Sequence, residues 1–280
     1  MTERTSRQQR VTVVTGGARG IGGAVSRRFA RAGDLVVLND IDEEAASAAR
    51  REIEQAGGRC VLAVGDITDD DVAAEVARTA LAAGDGRIDV LVNNVGDFRP
   101  ASRTFLHSTP EQWQRLYELN LRHVLALTHA VLPTMVDQGS GVVVNNSTVE
   151  AYRGIPASAP YSAYNAGVSA FTKSLAVEVG KYGIRVNAVA PDLADTEQTP
   201  AAAMLRGRDP ELVRSWVPLG RFGEPDDYAR VVEFLASEGA GFVTGHTIPV
   251  DGGTLAASGW YARADGKGWS NLPTLHGTGP

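Results

Sequence analysis

The 280-residue chain is poor in cysteine: Cys60 is the only one, so no disulfide can form within the chain. We interpret Cys60 as a small apolar residue beside a strand rather than as a reactive thiol. The chain also lacks a run of the roughly 20 apolar residues that a transmembrane helix needs, and its polar first ten residues do not resemble a signal peptide. These absences predict a cytoplasmic protein with no membrane partner.

Basic clusters and metal-ligand patterns are absent as well. The net charge is -6 at pH 7, and Arg4, Arg7 and Arg10 are scattered rather than clustered. A nucleic-acid-binding surface needs a concentrated basic face, so we expect no nucleic-acid partner. The five histidines show no metal-ligand spacing. We interpret His123 and His129, both in a predicted helix, as packing or interface residues and predict no metal site.

What the sequence does contain is a regular alternation of short β-branched runs with longer amphipathic or alanine-rich segments. This alternation predicts an α/β fold with a parallel sheet covered on both faces. The predicted strands are Val11–Val14, Leu35–Leu38, Val61–Val64, Ile88–Val92, Val142–Val144, Arg185–Val189 and Thr247–Val250. The predicted helices are Gly20–Ala32, Glu43–Ala56, Asp70–Ala83, Pro110–Val136, Ser162–Tyr182 and Glu224–Leu235.

The domain organisation is simple, because no internal repeat or linker is visible. We predict a flexible arm over residues 1–9, one domain over 10–255 and a tail over 256–280. The segment Asp192–Gly220 interrupts the alternation just after the sixth strand, where it forms either a lid over a substrate or an ordinary surface excursion. The tail carries Trp260 and Tyr261, and it is either docked on a subunit or disordered.

A glycine-rich loop, Thr15–Gly22, lies between the first predicted strand and the first predicted helix. Glycine lets the backbone turn tightly and approach a pyrophosphate, whose charge is stabilised by the amino terminus of the helix. The position of the loop between strand and helix therefore predicts a nucleotide-cofactor site. The residues that we assign to it are Gly16, Arg19, Gly20, Ile21 and Gly22.

An acidic residue, Asp40, ends the second predicted strand, 18 residues after Gly22. A carboxylate there accepts hydrogen bonds from the adenosine ribose and repels a 2′-phosphate, which favours NAD over NADP. Arg19 either meets such a phosphate or lies in solvent. Because the carboxylate usually dominates, we predict NAD as the cofactor.

Further motifs follow in a fixed order along the chain. They are Asp66, Asn93–Gly96, Asn120, Thr148, Tyr161, Pro191 with Thr196, and Thr244–Gly253. With the glycine loop, this ordered set resembles the short-chain dehydrogenase/reductase family over about residues 10–255. The resemblance implies a Rossmann-type doubly wound parallel sheet of about seven strands with helices on both faces.

The resemblance also implies roles for the remaining cofactor residues. Asp66 and Ile67 would meet the adenine, and Asn93 and Gly96 would line the cofactor cleft. Pro191 and Thr196 would lie near the nicotinamide. Members of the family commonly form tetramers through two long helices, so we expect a homotetramer, or a homodimer, built on Pro110–Val136 and Ser162–Tyr182.

Three hydroxyl- or amide-bearing residues would form the reacting centre. Hydride transfer to a carbonyl needs a proton partner for the oxygen and a donor that polarises it. The resemblance gives the first task to Tyr161 and the second to Thr148, 13 residues earlier, where the family has serine. The neighbouring Ser147 is expected to point to the opposite side of its strand. Asn120 would hold a water in a proton relay by distorting its helix.

Asn165 departs from the family pattern, because a catalytic lysine is expected four residues after Tyr161. An opposite charge at close range shifts a pKa by about 1–3 units. Without it the phenol of Tyr161 should titrate near its ordinary value, so turnover is slower near neutrality and alcohol oxidation has a more alkaline optimum. Asn165 is either natural or an engineered change.

Two other unusual residues flank the reacting centre. Tyr164, where the family has a small residue, either shapes the substrate pocket or packs against a neighbour. Asp192, where the family has glycine, either orients a polar substrate or is a solvated loop residue.

The combined pattern predicts an NAD(H)-dependent oxidoreductase that interconverts a secondary alcohol, or a diol, and a ketone. The small-molecule substrate is expected to be cyclic or derived from an aromatic compound, because aromatic side chains are available near the site, among them Phe98, Trp113 and Tyr152. The alternative is a cofactor-binding protein of the same fold with little or no redox turnover, an interpretation that rests on Asn165.

Overall fold

The structure of the chain is a computed structural model that describes residues 9–259, 261–262 and 269–270. Most of the predicted arm over residues 1–9, and in the predicted tail Trp260 and the segments 263–268 and 271–280, lie outside the described residues. Among the described residues, no helix is long and apolar enough to cross a membrane.

Seven parallel strands form one sheet within the described residues. Their bounds are β1 Val11–Thr15, β2 Leu35–Asp40, β3 Arg59–Val64, β4 Val90–Asn93, β5 Gly141–Asn146, β6 Ile184–Pro191 and β7 Thr247–Val250. Their order across the sheet is β3-β2-β1-β4-β5-β6-β7. The β-branched runs form strands because both faces of the sheet are covered: β1, β4 and β6 are buried almost throughout, whereas the edge strands β3 and β7 are only partly buried. The predicted doubly wound Rossmann-type fold is therefore confirmed.

The helices cover both faces of this sheet and form two apolar cores. One core joins the sheet to α3, α5 and α6 through side chains such as Val76, Leu127 and Leu175, and the other joins it to α1, α2 and α9 through Phe29 and Ile53. The helices are α1 Gly20–Arg31, α2 Glu43–Gln55, α3 Asp70–Ala83, α4 Pro110–Tyr117, α5 His123–Gln138, α6 Ala159–Val179, α7 Ala201–Leu205, α8 Val213–Trp216 and α9 Pro225–Ala236.

The strand order places a cleft at the carboxyl ends of the central strands. The chain runs outward from β1 to β3 on one side and from β4 to β7 on the other, so the connections diverge between β1 and β4. In open α/β sheets this point of divergence leaves a crevice, and ligands bind in it. The loops that follow β1, β2, β4, β5 and β6 meet there.

Three regions differ from the sequence prediction. The helix predicted over Pro110–Val136 is divided into α4 and α5 by a π turn, Glu118–Arg122. The segment Asp192–Gly220 contains the two short helices α7 and α8, which its mixed composition did not reveal. In the tail, Tyr261–Ala262 pairs antiparallel with Trp269–Ser270.

Cys60 and His123 are both buried, as the sequence suggested for packing residues. Burial raises the pKa of the Cys60 thiol to about 12, which disfavours a reactive thiolate. His123 is fully buried, and its Nε2 lies 3.0 Å from the carbonyl oxygen of Leu119. Burial lowers the pKa of His123 to about 4, so this ring stays neutral at physiological pH.

Candidate active site

A cavity of about 530 Å³ occupies the crevice at the carboxyl ends of the strands. It joins the glycine loop at one end to the predicted reacting centre at the other. The predicted site residues that line it are Gly16, Arg19, Gly20, Ile21, Asp40, Gly96, Asn120, Thr148, Tyr161, Asn165, Pro191 and Thr196.

The glycine loop is shaped so closely that side chains would obstruct it. Gly16 has a φ of +58°, and a Cβ on Gly22 would lie 2.1 Å from the carbonyl oxygen of Gly16. Gly22 does not itself line the cavity; its missing side chain lets the loop fold against α1. Among the described residues, Arg19 at the N-cap of α1 offers the helix no side-chain hydrogen bond. The amino terminus of α1 thus faces the cavity without a cap, which suits a pyrophosphate.

The acidic end of β2 lies beside this loop. Asp40 accepts hydrogen bonds from the backbone nitrogens of Ala18 and Asp42, both at 3.1 Å, so its carboxylate is held at the rim of the cavity. Arg19 is exposed, with 58% of its side chain open to solvent, and its Nη1 lies 3.0 Å from the Asp42 carboxylate; its contact with a phosphate stays a prediction. A hydrogen bond from the Ala45 backbone, assisted by Arg19, lowers the pKa of Asp42.

Asn93 does not line the cavity, and the prediction that it does is wrong. It is fully buried, and its Nδ2 donates to Thr128 at 3.0 Å and to Asn145 at 2.9 Å. Asn93 is the last residue of β4, so it belongs to the sheet, whereas Asn94 is the first residue beyond the strand and lines the cavity. The end of the strand is the signal that distinguishes the two, and the sequence prediction placed that end one residue early.

Asp66 and Ile67 also lie off the cavity wall. Asp66 accepts hydrogen bonds from the backbone and hydroxyl of Thr68, at 3.0 and 2.7 Å, and lies 3.4 Å from Arg115. Although partial burial opposes it, this set of partners lowers the pKa of Asp66. Ile67 is 3% exposed and packs in the core beside α3. Their contact with an adenine stays a prediction.

Tyr161 and Thr148 meet at the other end of the cavity, on α6 and after β5 respectively. Burial raises the pKa of Tyr161 to about 12, although a hydrogen bond with the Thr148 hydroxyl opposes the shift. The carboxylates of Glu150, Asp97 and Asp192 raise it further. The phenol is therefore protonated at neutral pH and suited to donate a proton.

Ser147 turns away from this pair, as the alternation of strand residues predicted. Its hydroxyl donates to the carbonyl oxygen of Asn165 at 3.1 Å and lies 3.1 Å from the Ser169 hydroxyl on α6. Thr148 accepts a hydrogen bond from the backbone nitrogen of Glu150 at 3.3 Å and donates to the Pro191 carbonyl at 3.4 Å. Thr148 is thus the hydroxyl that shares the cavity with the phenol.

Asn165 lies one turn after Tyr161 on the same face of α6, and it is 3% exposed. Its Nδ2 donates to the Tyr161 carbonyl at 3.0 Å. The amide carries no charge, so this position offers the phenolate no electrostatic stabilisation.

Asn120 distorts its helix, as expected. Its Nδ2 donates to the carbonyl oxygens of Leu116 and Asp97, both at 2.8 Å, and its Oδ1 accepts from the Asp97 backbone nitrogen at 3.1 Å. The bond to Leu116 occupies a carbonyl that regular helical pairing would use, and Asn120 lies within the π turn. Asn120 thereby fastens the loop after β4, which carries Phe98, to the helix.

Several cavity residues were not assigned from the sequence. Asp97 and Arg99 line the wall after β4, where they form a paired carboxylate and guanidinium 2.6 Å apart. Phe98, noted only as part of the aromatic supply, stands edge-on to the Tyr161 ring with centroids 6.1 Å apart. The signal for all three was their place directly after the Asn94–Gly96 turn, at the carboxyl end of a central strand.

Part of the Asp192–Gly220 segment covers the cavity, as a lid would. Thr196 lies against Gly20, because a Cβ on that glycine would be 3.5 Å from the threonine side chain. Gln198 reaches the opposite wall and donates to the Gly96 carbonyl at 3.1 Å. Thr196 therefore lines the cavity close to the glycine loop. Its contact with the nicotinamide stays a prediction.

The structure shows the surroundings of Asp192 and Tyr164, whose roles the sequence left open. Asp192 is not a solvated residue, because its carboxylate is paired with Arg153 at 2.7 Å and hydrogen-bonded by Thr254; the residue lines the cavity, and its contact with a substrate stays a prediction. Tyr164 packs against Tyr117, with ring centroids 5.7 Å apart.

Comparisons with known proteins agree with this geometry. A family profile described as enoyl-(acyl carrier protein) reductase matches residues 16–254. A 3-oxoacyl-[acyl-carrier-protein] reductase FabG of Thermotoga maritima is 39% identical over 88% of this chain and 98% of its own length. A cis-4-hydroxycyclohexanecarboxylate dehydrogenase of Sinomonas cyclohexanicum is 40% identical over 89% of this chain and 97% of its own length.

Solved structures show the same architecture. Levodione reductase superposes with a TM-score of 0.82 at 32% identity, covering 89% of this chain and 98% of that one. A 7α-hydroxysteroid dehydrogenase complexed with NADH and 7-oxo glycochenodeoxycholic acid has a TM-score of 0.80 at 30% identity, covering 90% and 98%. An actinorhodin polyketide ketoreductase variant with NADPH has a TM-score of 0.82 at 30% identity, covering 88% and 97%.

Proposed function

The chain belongs to the short-chain dehydrogenase/reductase family of oxidoreductases, and from this we propose that it is an NAD(H)-dependent enzyme that interconverts a ketone and a secondary alcohol. One observation carries the proposal: the hydroxyls of Thr148 and Tyr161 share a cavity with an uncapped, glycine-lined helix terminus. The first feature suits a carbonyl oxygen and the second suits a pyrophosphate.

The residues present fit a nicotinamide dinucleotide along the cavity. The glycine loop would bind its pyrophosphate, Asp40 its adenosine ribose, and Asn165 with Thr196 its nicotinamide end. The bound cofactor supplies or accepts the hydride, and the protein positions the substrate and moves the proton. Thr148 donates a hydrogen bond to the carbonyl oxygen, and the Tyr161 hydroxyl transfers its proton to that oxygen during reduction.

The electrostatics of Tyr161 favour carbonyl reduction near neutral pH. A phenol with a pKa of about 12 is almost wholly protonated there and is ready to act as an acid. Alcohol oxidation needs the phenolate as a base, and three carboxylates with an uncharged Asn165 disfavour that form. We read Asn165 as occupying the place of the family's catalytic lysine, which leaves a slower enzyme rather than an inactive one.

The rim of the cavity supports NAD rather than NADP. A 2′-phosphate beside Asp40 would face a carboxylate that is already fixed by two backbone nitrogens. Arg19, the cation nearest to that position in the glycine loop, is engaged by Asp42. Solved relatives include one with NADH and one with NADPH, so the proposal of NAD rests on this local geometry.

A cyclic ketone is the substrate class that we favour. The edge-on contact between Phe98 and Tyr161 places an apolar ring beside the proton donor, where it can pack against a flat or puckered ring. Among the similar proteins, the cis-4-hydroxycyclohexanecarboxylate dehydrogenase and the 7α-hydroxysteroid dehydrogenase carry cyclic compounds in their names. A 3-oxoacyl thioester, the class named for FabG, is the competing substrate.

The test follows the loss of reduced-cofactor absorbance with cyclic ketones and 3-oxoacyl thioesters, each with NADH and with NADPH. We expect turnover of a cyclic ketone with NADH, and a lower kcat/KM with NADPH. Turnover of thioesters alone would overturn the substrate class, and a preference for NADPH would overturn the cofactor.

The second candidate is a protein that binds the cofactor without turnover. Its support is the uncharged Asn165 beside a phenol whose pKa is about 12. NADH binding, measured by fluorescence, in the absence of turnover on every carbonyl class would favour this candidate.

A further inference from the structure

Arg153 lies between two carboxylates behind the reacting centre. Its Nη2 is 3.2 Å from the Glu150 carboxylate and 2.7 Å from the Asp192 carboxylate. Within the described part of the chain, no other cation pairs with either of these acids. A planar guanidinium can bond two carboxylates at once, so Arg153 connects the two segments that carry them.

These segments are the ones that end at the reacting centre. Glu150 comes two residues after Thr148, beyond β5, and Asp192 comes directly after Pro191, the last residue of β6. The Asp192 carboxylate also accepts a hydrogen bond from Thr254, and its carbonyl accepts one from Tyr228 at 2.5 Å. Arg153 thus belongs to a network that joins β5, β6, α9 and the turn after β7.

The network is shielded from solvent. The exposed fraction of the side chain is 11% for Glu150, 8% for Asp192 and 26% for Arg153. One oxygen of Glu150, Oε2, is buried without a hydrogen-bond partner among the described residues. Shielded charges interact more strongly than exposed ones, and removing one partner leaves the others uncompensated. The ion pairs of Arg153 should therefore contribute more to the local structure than ion pairs exposed on the surface do.

The Thr148 hydroxyl is hydrogen-bonded both to the segment after β5 and to the end of β6. Its hydroxyl accepts from the Glu150 nitrogen at 3.3 Å and donates to the Pro191 carbonyl at 3.4 Å. Arg153 binds Glu150 itself, and it binds Asp192, the residue that directly follows Pro191. We infer that Arg153 is a positioning residue: by bridging Glu150 and Asp192 it holds the ends of β5 and β6 at the separation that places the Thr148 hydroxyl beside Tyr161.

The structural part of this inference stands on geometry alone, and its kinetic consequence rests on the proposed function. If the bridge is removed, the loop after β5 and the loop after β6 gain freedom, whereas the glycine loop does not depend on it. A small displacement of a group near the reaction can lower kcat by up to about 100-fold. NADH affinity should change little, because most of the assigned cofactor contacts, those to the pyrophosphate and the adenosine ribose, lie at the other end of the cavity, and only Pro191 and Thr196 lie on a loosened segment.

The experiment measures backbone hydrogen exchange in the native chain, Arg153→Met and Arg153→Lys. Arg153→Met should accelerate exchange in residues 147–153 and 190–196. Arg153→Lys should give an intermediate effect, because lysine retains the charge but carries it on a differently shaped stem, so its ammonium cannot keep both of the contacts that Nη2 makes at the same distances. A triple variant, Arg153→Met with Glu150→Gln and Asp192→Asn, removes the bridge without leaving unpaired charge and should remain accelerated.

Arg115→Met is the control. Arg115 also pairs with two carboxylates, those of Asp66 and Glu118, both at 3.4 Å, but it connects α4 to the loop after β3, outside the network. Arg115→Met should leave exchange in residues 147–153 and 190–196 at the native rate. Native exchange there in Arg153→Met, or in the triple variant, would overturn the positioning role.

Kinetics separate this inference from the proposed function. With a ketone that the native chain reduces, Arg153→Met should lower kcat while the NADH dissociation constant stays within about twofold, and Arg153→Lys should recover part of kcat. If the native chain reduces no ketone, the proposed function fails, and the exchange measurements still decide the role of Arg153.

Discussion

At the scale of single residues, the surroundings of Tyr161 determine how readily its phenol ionises. Burial opposes the ionisation, and the carboxylates of Glu150, Asp97 and Asp192 oppose it further. In the proposed reaction, reduction uses the protonated phenol and oxidation uses the phenolate. We therefore expect this environment to move the pH dependence of each direction, whereas the substrates and the cofactor set the equilibrium between them.

Asn165→Lys should make alcohol oxidation more efficient at lower pH. The ammonium group stabilises the phenolate, so the pKa of Tyr161 falls and the ascending limb of the pH–rate profile for oxidation, along which the phenol loses its proton, moves to lower pH by about 1–3 units. The profile of kcat/KM for oxidation of a cyclic alcohol measures this shift. Ser174→Lys, which adds the same charge at an exposed position of α6, should leave the profile in place. An unmoved limb in Asn165→Lys would contradict the role given to this position.

Two substitutions of Thr148 separate the effect of its hydroxyl group from the effect of its side-chain volume. Thr148→Val keeps the volume and removes the hydrogen bond, and it should lower kcat by roughly 10²- to 10³-fold. Thr148→Ser keeps the hydroxyl and should retain most of the rate. Equal rates in the two variants, measured with NADH and a ketone, would show that the hydroxyl does not polarise the carbonyl.

Single residues also show where sequence analysis stops. Asp40 could be placed because it ends a predicted strand 18 residues after Gly22, whereas Tyr161 and Thr148 were placed by the resemblance to the family. Asn93 was misplaced because the predicted strand ended one residue too early, and at a strand end one position separates a residue buried in the sheet from a residue that lines the cavity. Arg153 carried no signal, since its partners are an acid three residues away and another 39 residues away, brought together by neighbouring strands.

At the scale of secondary structure, the glycine loop and α1 form one rigid unit. Gly22→Ala would place a methyl group against the Gly16 carbonyl, so the loop must move. We expect a loss of roughly 1–3 kcal/mol in the free energy of unfolding and weaker NADH binding. Thermal melts and fluorescence titration measure the two effects. Gly180→Ala, where a Cβ would meet no atom within 4 Å, should be near neutral in both. Native affinity in Gly22→Ala would contradict the proposed fit.

The extent of the long helix follows from its sequence pattern, whereas its distortion at Asn120 was expected only from the resemblance to the family. The apolar pattern and the capping box of Thr109 with Gln112 fix its start, and Gly139 fixes its end. The π turn depends on Asn120 competing for the Leu116 carbonyl, an interaction that helical periodicity does not encode.

At the scale of the whole molecule, we propose that four copies assemble through the two long helices. The chain has a mass of 29.6 kDa, so sedimentation or light scattering should give about four times that value. Val177, on α6, is 85% exposed, and Val177→Glu should reduce the mass of the assembly. Leu106→Glu, at an equally exposed position outside the two helices, should not. An unchanged mass in Val177→Glu would place the interface elsewhere.

We propose that this cavity transfers hydride from NADH to a ketone while Tyr161 supplies the proton. The most direct measurement incubates the native chain with NADH deuterated at both C4 positions and a cyclic ketone, and determines deuterium in the alcohol by mass spectrometry. We predict one deuterium per alcohol formed, and Tyr161→Phe should bind NADH equally well but form alcohol roughly 10²- to 10⁴-fold more slowly. Tight NADH binding by the native chain without deuterated alcohol, or equal rates in Tyr161→Phe, would contradict the account.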